Sequence, residues 1–253
     1  MQPGENSALL DHSEACAAQL ASICAHFGFH GWLVNIEARL PGAHGDVARL
    51  AAFLASLRRK CAAVNGGRSR VLIYDSVSAG GAADCWACAL PGAHPRTGEA
   101  SANPALLAAA NGLLLDYHWA PSSLAATRAA ADAMTAGTTA GATTGATAQA
   151  TSEGAGRRCD VYVGVDVFGR GTCHGAGFGA AAAVGQVAAA GLSLGVFAPG
   201  WVLEAGPGGH LFGDGHPAGQ EQAEASEAEA AEAAALDDDF WRQLDTGRAK
   251  PPP

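Results

Sequence analysis

The chain has 253 residues, of which 49% are apolar, and its formal net charge is −9. This length and apolar fraction are enough for a sizeable buried core. The acidic balance and the short basic clusters argue against a nucleic acid partner, because phosphate binding needs clustered lysine and arginine. The sequence contains no long, strongly apolar run that predicts a membrane span, and residues 2–5 lack the pattern of a signal peptide.

Five apolar runs with helical patterns between them predict a parallel sheet. Residues 13–27 predict a helix ahead of the first strand. Asp46 can cap a second helix, which presents Val47, Leu50, Leu54 and Leu57 on one face. Further helices are predicted from Ser122 or Ser123 onward and over Ala180–Ala190. The predicted strands, in chain order, are Gly31–Glu37, Val71–Asp75, Leu113–Tyr117, Val161–Asp166 and Leu192–Phe197.

Polar or aromatic residues close every predicted strand. Apolar strands with chemistry at their C-terminal ends are typical of a (β/α)₈ TIM barrel. A doubly wound sheet is the alternative, although the glycine-rich stretch at residues 169–177 does not have GxGxxG spacing. About five βα units are present and a barrel needs eight, so we expect an incomplete barrel whose N-terminal strands are missing.

Composition divides the chain into a body and a tail. Residues 1–205 are predicted to form the partial barrel, with an Ala-, Thr- and Gly-rich loop insertion at 135–156. Residues 206–253 begin Gly- and Pro-rich and continue as an Ala/Glu run, and we expect a flexible tail there. Phe240 and Trp241 interrupt that run and could dock back on the body.

The cysteines favour a reducing compartment. Seven of them stand at irregular spacings, which suits reduced thiols in a cytosolic, and so cytoplasmic, protein better than a disulfide framework. Cys85 and Cys88 have CxxC spacing, but no second pair matches them, and the histidines lack metal-like spacing. We therefore predict no metal and no other cofactor.

Asn35 and Glu37 are the first pair with a possible chemical role. They stand two residues apart on a predicted strand, so their side chains should point to one face. A buried Glu at a barrel mouth has its neutral form favoured by desolvation, as a general acid requires. From this pair alone, a solvated or helix-capping Glu is the stronger interpretation.

Longer motifs make the interpretation specific. The sequence resembles glycoside hydrolase family 85, the endo-β-N-acetylglucosaminidases, in blocks that keep the family order from about residue 15 to 204. Residues 28–37 (GFHGWLVNIE) resemble the family's GFDGWLxNIE strand, and residues 74–77 its YDSV strand end. Residues 112–119 are similar to its DGxFxNYxW strand. Residues 160–171 match DVYxGxDVFGRG, and residues 197–201 match FAPGW.

The resemblance implies a TIM barrel and a retaining, substrate-assisted glycosidase that cuts the β-1,4 bond of the N-glycan chitobiose core. The substrate's own 2-acetamido group would attack the anomeric carbon, so no enzyme carboxylate serves as nucleophile. Glu37 would act as acid and base, Asn35 would hold the acetamide, and Tyr74 would place its phenol on the same group. Implied partners are N-glycans, glycoproteins and free oligosaccharides.

The resemblance also implies sugar contacts at several strand ends. Aromatic rings cover the C–H faces of sugars, and carboxylates accept hydrogen bonds from hydroxyls. For each aromatic the alternative is packing, and for each carboxylate it is a structural hydrogen bond to a loop. The implied substrate-binding residues are Trp86, Trp119, Asp166, Phe168, Trp201 and Glu204.

The sequence departs from the family pattern at several positions, and two alternatives stay open. Positions 30, 87, 88, 111 and 116 carry His, Ala, Cys, Asn and Asp where the family usually has Asp, Gln, Asn, Asp and Asn. A chitinase-like family 18 glycosidase has an acidic DGxDxDxE strand in the place of residues 30–37. An inactive glycan-binding remnant of the barrel is the second alternative.

Overall fold

The structure, a computed structural model, describes residues 3–42, 44–83, 85–139, 157–205 and 227–249. Residues 140–156 of the predicted loop insertion, and residues 206–226 and 250–253 of the predicted tail, lie outside the described residues. The chain divides into two units, residues 1–163 and 164–253, with the boundary inside the fourth strand. Each unit is described by itself.

Helices and strands alternate from the first strand onward. The helices are α1 Pro3–Asp11, α2 Ser13–Phe27, α3 His44–Asn65, α4 Asn103–Ala109, α5 Pro121–Thr139, α6 Ala180–Ala189, α7 Trp201–Glu204 and α8 Glu227–Ala249. The strands are β1 Gly31–Val34, β2 Arg70–Tyr74, β3 Gly112–Leu115, β4 Val161–Asp166 and β5 Ser193–Phe197. All five predicted strands are present, and the predicted helix over residues 13–27 has those bounds.

The five strands form one sheet in the order β1-β2-β3-β4-β5. Neighbouring strands from β1 to β4 pair in parallel. In a doubly wound sheet the strand order reverses, whereas a barrel keeps sequential neighbours. The order therefore confirms a partial TIM-type barrel and rules against the doubly wound alternative.

In the first unit, the two faces of the sheet differ in burial. Val71, Ile73 and Leu113 alternate on one face and are fully buried. Helix α3 packs on β2 and on α2, and its Leu50 and Leu54 belong to the same core. On the opposite face, Leu72 and Leu114 are half-buried. Burial of one face therefore holds each strand in register, because a slip of one residue would expose the core side chains.

The predicted ends of the elements are less accurate than their positions. Strand β1 ends at Val34, three residues before the predicted end at Glu37. Helix α3 begins at His44, so Asp46 lies in its first turn, where a negative charge favours the helix N-terminus. Helix α5 extends to Thr139 and so includes the first residues of the predicted insertion.

Gly31 begins β1 where no side chain fits. Its φ is 155°, and a Cβ built there would lie 1.6 Å from the carbonyl oxygen of Arg70 on the neighbouring strand. We expect Gly31→Ala to lower the free energy of unfolding by on the order of 3 kcal/mol, because β1 and β2 must separate to admit the methyl group.

Gly28→Ala is the matched control for this prediction, measured by urea denaturation. Gly28 follows α2 with a φ of 70°, but its Cβ would meet nothing within 4 Å. Gly28→Ala should therefore lower the free energy of unfolding through backbone strain alone, by about 1 kcal/mol. Equal losses of stability for the two variants would contradict the proposed clash.

The second unit has a small core of its own. Strand β5 hydrogen-bonds to the end of β4, where the Val167 amide donates to the Phe197 carbonyl at 3.0 Å. Helix α8 packs on α6 and α7. Its Phe240 is fully buried, with the ring centroid 6.2 Å from that of Phe178. The Ala/Glu run of the predicted tail thus includes a helix, Glu227–Ala249, anchored by an aromatic residue.

Candidate active site

Asn35 and Glu37 follow directly after β1. Both side chains are exposed, whereas Ile36 between them is 1% exposed, so the alternation of the strand continues beyond its last ladder bond. The Ser76 hydroxyl donates a hydrogen bond to the Ile36 carbonyl at 2.6 Å and ties this segment to the end of β2. Asn35 and Glu37 therefore share one side of the segment. The expected burial of Glu37 is wrong for the described chain, because nothing described covers this side.

Tyr74, the last residue of β2, lies beside this pair. Val34 pairs with Ile73, so Asn35 and Tyr74 are the next residues on two parallel chains, and paired residues point to one face. Burial raises the pKa of Tyr74 well above its usual range. The hydrogen bond to Asp116, the charge of Asp116 and the charge of Glu37 raise that pKa further. Asn35 and Tyr74 therefore follow one another across the two strand ends and point to the same face.

Asp116 follows β3 and is 2% exposed. Its Oδ2 accepts a hydrogen bond from the Tyr74 hydroxyl at 2.7 Å. Its Oδ1 accepts hydrogen bonds from the His118 amide at 2.9 Å and from the Cys88 thiol at 3.6 Å. The same oxygen is hydrogen-bonded to the Nδ1 of His118. Both oxygens are therefore engaged, as the burial of a carboxylate requires.

Asp75 supports the loop that carries Trp86. Its carboxylate accepts from the backbone amides of Ala87 at 3.2 Å and Cys88 at 2.7 Å, and from the Asn103 side chain at 2.8 Å. Cys88 has a φ of 55°, which L residues rarely adopt, and these bonds hold it there. Burial raises the pKa of Asp75 to about 6, although the hydrogen bonds from Asn103, Cys88 and Ala87 lower it.

The raised pKa of Asp75 predicts a pH dependence of stability. Because the folded chain holds this proton more tightly than the unfolded chain, Asp75 stabilises the fold below about pH 4, and that contribution is lost as the pH rises through about 6. The change is on the order of 3 kcal/mol. We expect Asp75→Asn to flatten this part of the profile of unfolding free energy against pH.

Asp132→Asn is the control for the pH profile. A hydrogen bond from Arg158 holds the pKa of Asp132 below its usual value, so its contribution to stability is lost only at lower pH. This variant should leave the slope between pH 4 and 6 unchanged. An Asp75→Asn profile with the wild-type slope would show that Asp75 does not titrate there.

The two predicted sugar-binding tryptophans of the first unit differ in exposure. Trp86 is half-buried, on the loop held by Asp75. Trp119, after β3, is 1% exposed and belongs to the core. A ring buried in this way packs against protein, so contact between Trp119 and a sugar would require a rearrangement.

In the second unit, Asp166 forms an ion pair. It is fully buried, and the guanidinium of Arg170 donates to both of its oxygens at 2.9 Å. Burial raises the pKa of Asp166, but the hydrogen bonds from Arg170 and from the Phe168 amide outweigh this effect and leave the pKa below its usual value. Arg170 also lies over the rings of Phe168 and Phe197, at 5.2 and 5.3 Å.

Trp201 and Glu204 lie on the one-turn helix α7. The Trp201 ring is half-buried and meets Phe178 edge to face at 6.0 Å. A Cβ on Gly177 would come within 2.2 Å of that ring, so the absence of a side chain there makes room for it. Glu204 is exposed. Both residues retain a surface that a ligand could contact.

Sequence reasoning assigned no role to two residues that hold site carboxylates. Arg170 pairs with Asp166, and the spacing of four residues within the FGRG motif was an available signal. Asn103 donates to Asp75 from the first residue of α4. Its distance from Asp75 in the sequence left no local pattern, so only the fold brings the two side chains together.

Two negative observations apply to the described residues alone. Within the described ranges, no group of three or more His, Cys, Asp and Glu side chains is placed to hold a metal ion. None of the helices in the described part of the chain is long and apolar enough to cross a membrane.

Comparison with known proteins identifies the family that has this fold and these motifs at the strand ends. The sequence model of glycosyl hydrolase family 85 matches residues 5–247 of this chain. The chain belongs to glycosyl hydrolase family 85. The resemblance predicted from the strand motifs is thereby confirmed, and the family 18 interpretation is not supported.

Similar proteins carry the name cytosolic endo-beta-N-acetylglucosaminidase. The chain is 34% identical over 195 residues to the protein of that name from Gallus gallus and 31% identical over 193 residues to the one from Homo sapiens. It is 29% identical over 196 residues to cytosolic endo-beta-N-acetylglucosaminidase 1 of Arabidopsis thaliana. These matches cover 76–77% of this chain but only 21–23% of the relatives. The chain thus spans about a fifth of their length.

Proposed function

We propose that this chain carries catalytic residues of a glycosidase that cleaves the β-1,4 bond between the two GlcNAc residues of the N-glycan core. The observation that carries the proposal is the convergence at the ends of β1 and β2. Asn35 and Glu37 share one side there, and Asn35 stands next to Tyr74 in the register of the two strands. Membership of glycosyl hydrolase family 85 and the names of the relatives support the same activity.

The proposed reaction has two steps and retains the anomeric configuration. In the first, the acetamide oxygen of the sugar forms a bond to its own anomeric carbon while the glycosidic C–O bond breaks, and Glu37 gives its proton to the departing oxygen. In the second, water attacks the anomeric carbon of the oxazolinium intermediate and loses a proton to Glu37. As the new bond forms, the bond between the anomeric carbon and the acetamide oxygen breaks, which restores the acetamide.

Asn35 and Tyr74 would orient the acetamide for this attack. Orientation contributes because the reactive conformation of a flexible acetamide is only one of several. Polar groups fixed around the developing positive charge stabilise the transition state more than the ground state. Tyr74 is suited to this role because its hydroxyl is held by Asp116 and its ring is half-buried.

A bound sugar would also change the surroundings of Glu37. Its side chain is exposed in the described chain, so water stabilises its charged form. A sugar ring over the carboxyl group would displace that water and favour the neutral acid that the first step requires. We propose that the bound substrate removes part of the water around the Glu37 carboxyl group, as the protein itself does in a closed site.

The sugar contacts remain proposals for each unit separately. Trp86 and Trp119 are proposed contacts of the first unit, and Phe168, Trp201, Asp166 and Glu204 of the second. The ion pair with Arg170 leaves Asp166 fewer free acceptor positions than Glu204. We further propose N-glycans, glycoproteins and free oligosaccharides as substrates, with deglycosylation in the cytosol as the role.

A glycan-binding protein without turnover is the second proposal. It is favoured by the exposure of Glu37 and of Leu33, which is 49% exposed. Such a protein would bind the same glycans through the aromatic residues but would not desolvate its acid.

A glycopeptide assay distinguishes these proposals. The chain is incubated with a high-mannose glycopeptide, and the products are separated by mass. The glycosidase releases the glycan and leaves one GlcNAc on the peptide. Glycan binding by calorimetry, with no release after prolonged incubation, would instead support the binding protein. Cleavage of chitin oligosaccharides with no glycopeptide product would refute both.

A further inference from the structure

Asp116 divides its two oxygens between different tasks. Oδ1 is bonded to the backbone and ring of His118 and to the Cys88 thiol. Oδ2 accepts the hydroxyl of Tyr74 at 2.7 Å. The contacts on Oδ1 fix the carboxylate, and the fixed carboxylate in turn fixes the direction of the phenolic O–H bond.

The direction of that bond decides what Tyr74 can offer to a ligand. A phenol has one proton to donate, and a carboxylate can only accept it. When the proton points to Asp116, the lone pairs of the phenolic oxygen are left to accept a hydrogen bond from a ligand. A hydrogen bond to an ionised acceptor is also stronger than one between neutral groups, which makes this orientation persistent.

We propose that Asp116 is a positioning residue that holds the Tyr74 hydroxyl as a hydrogen-bond acceptor toward the reacting acetamide. This proposal rests on the proposed glycosidase function. An acceptor at this place complements the acetamide N–H and the positive charge of the oxazolinium ring. Asp116 itself is buried and bonds to the Tyr74 hydroxyl, so it acts through the tyrosine.

The first test uses fluorine NMR and does not depend on activity. The chain has three tyrosines, Tyr74, Tyr117 and Tyr162, so 3-fluorotyrosine labelling gives a simple spectrum. Tyr74→Phe assigns its signal. Asp116→Asn should shift the Tyr74 signal because the charged acceptor is gone. Asp75→Asn, which alters a neighbouring buried carboxylate that does not accept the Tyr74 hydroxyl, should shift it less. Equal shifts in the two variants would overturn the pairing.

The second test is a double-mutant cycle on the glycopeptide reaction. We expect Asp116→Asn to lower kcat about tenfold and to change KM less than about twofold. In a Tyr74→Phe background the same substitution should change kcat less than about twofold, because the residue through which it acts is absent. Equal losses of kcat in both backgrounds would overturn the positioning role and indicate a purely structural one.

The two tests separate the inference from the function on which it rests. Wild-type protein without turnover would refute the glycosidase proposal, while the fluorine shifts would still decide whether Asp116 holds Tyr74. If Asp116→Asn fails to fold, the Tyr74→Phe variant replaces it. Loss of the phenolic O–H alone should then lower kcat about tenfold without changing stability by more than the single hydrogen bond. An unchanged kcat in that variant would overturn the inference.

Discussion

Glu37→Gln is expected to lower kcat for glycan release by about 10³-fold, which lies within the usual range for removal of a general acid and base. The amide has the size of the acid but cannot give a proton to the departing glycosidic oxygen. Since the sugar contacts remain, KM should change little. Single-turnover release of glycan from a glycopeptide, followed by mass spectrometry, measures the effect.

Glu14→Gln is the matched control for this substitution. Glu14 lies on the exposed side of α2, where it pairs with Lys60 at 3.2 Å, and it has no proposed contact with substrate. It should leave kcat unchanged. If Glu37→Gln also retained the wild-type kcat, Glu37 would not be the acid, and the convergence at the ends of β1 and β2 would lose its proposed meaning.

Asn35→Ala is expected to lower kcat about 100-fold, the typical effect of removing one group that stabilises developing charge. Without the amide, the acetamide spends less time in the reactive orientation, and the oxazolinium ring loses a polar partner. Substrates with mono-, di- and trifluorinated N-acetyl groups give a second measurement. Each fluorine weakens the acetamide as a nucleophile, so kcat of the wild type should fall steadily along the series.

Asn65→Ala provides the comparison for Asn35→Ala. The Asn65 side chain donates to the Phe29 carbonyl at 2.7 Å, ahead of β1, so its loss should lower stability and leave kcat unchanged. Equal losses of kcat for the two variants would indicate that displacement of β1, and not a missing amide at the reacting sugar, causes the effect. A kcat that does not respond to fluorination would contradict substrate assistance altogether.

The positions of the strands could be predicted because the strands of a parallel sheet read as apolar runs. Their ends could not be predicted in the same way. Beyond the end of β1 at Val34, the Ser76 hydroxyl bonds to the Ile36 carbonyl and ties this segment to the end of β2. This hydrogen bond joins residues that are 40 positions apart, so no local propensity predicts it.

The surroundings of two predicted sugar contacts also differ from the prediction. Asp166 was predicted to contact sugar, yet its two oxygens bind Arg170. Trp119 was predicted at a strand end and lies in the core. A residue type at a strand end indicates what chemistry is possible there, whereas the neighbours on other elements decide whether that chemistry is used.

By itself the sequence determined the class of fold and the family, and it predicted the pair Asn35 and Glu37, because apolar periodicity and linear motifs are properties of neighbouring residues. The tertiary structure alone decided which groups act together. It placed the Tyr74 hydroxyl on Asp116, 42 residues away, and left Glu37 exposed. Hydrogen bonds and burial depend on distances between elements, and only the folded chain sets those distances.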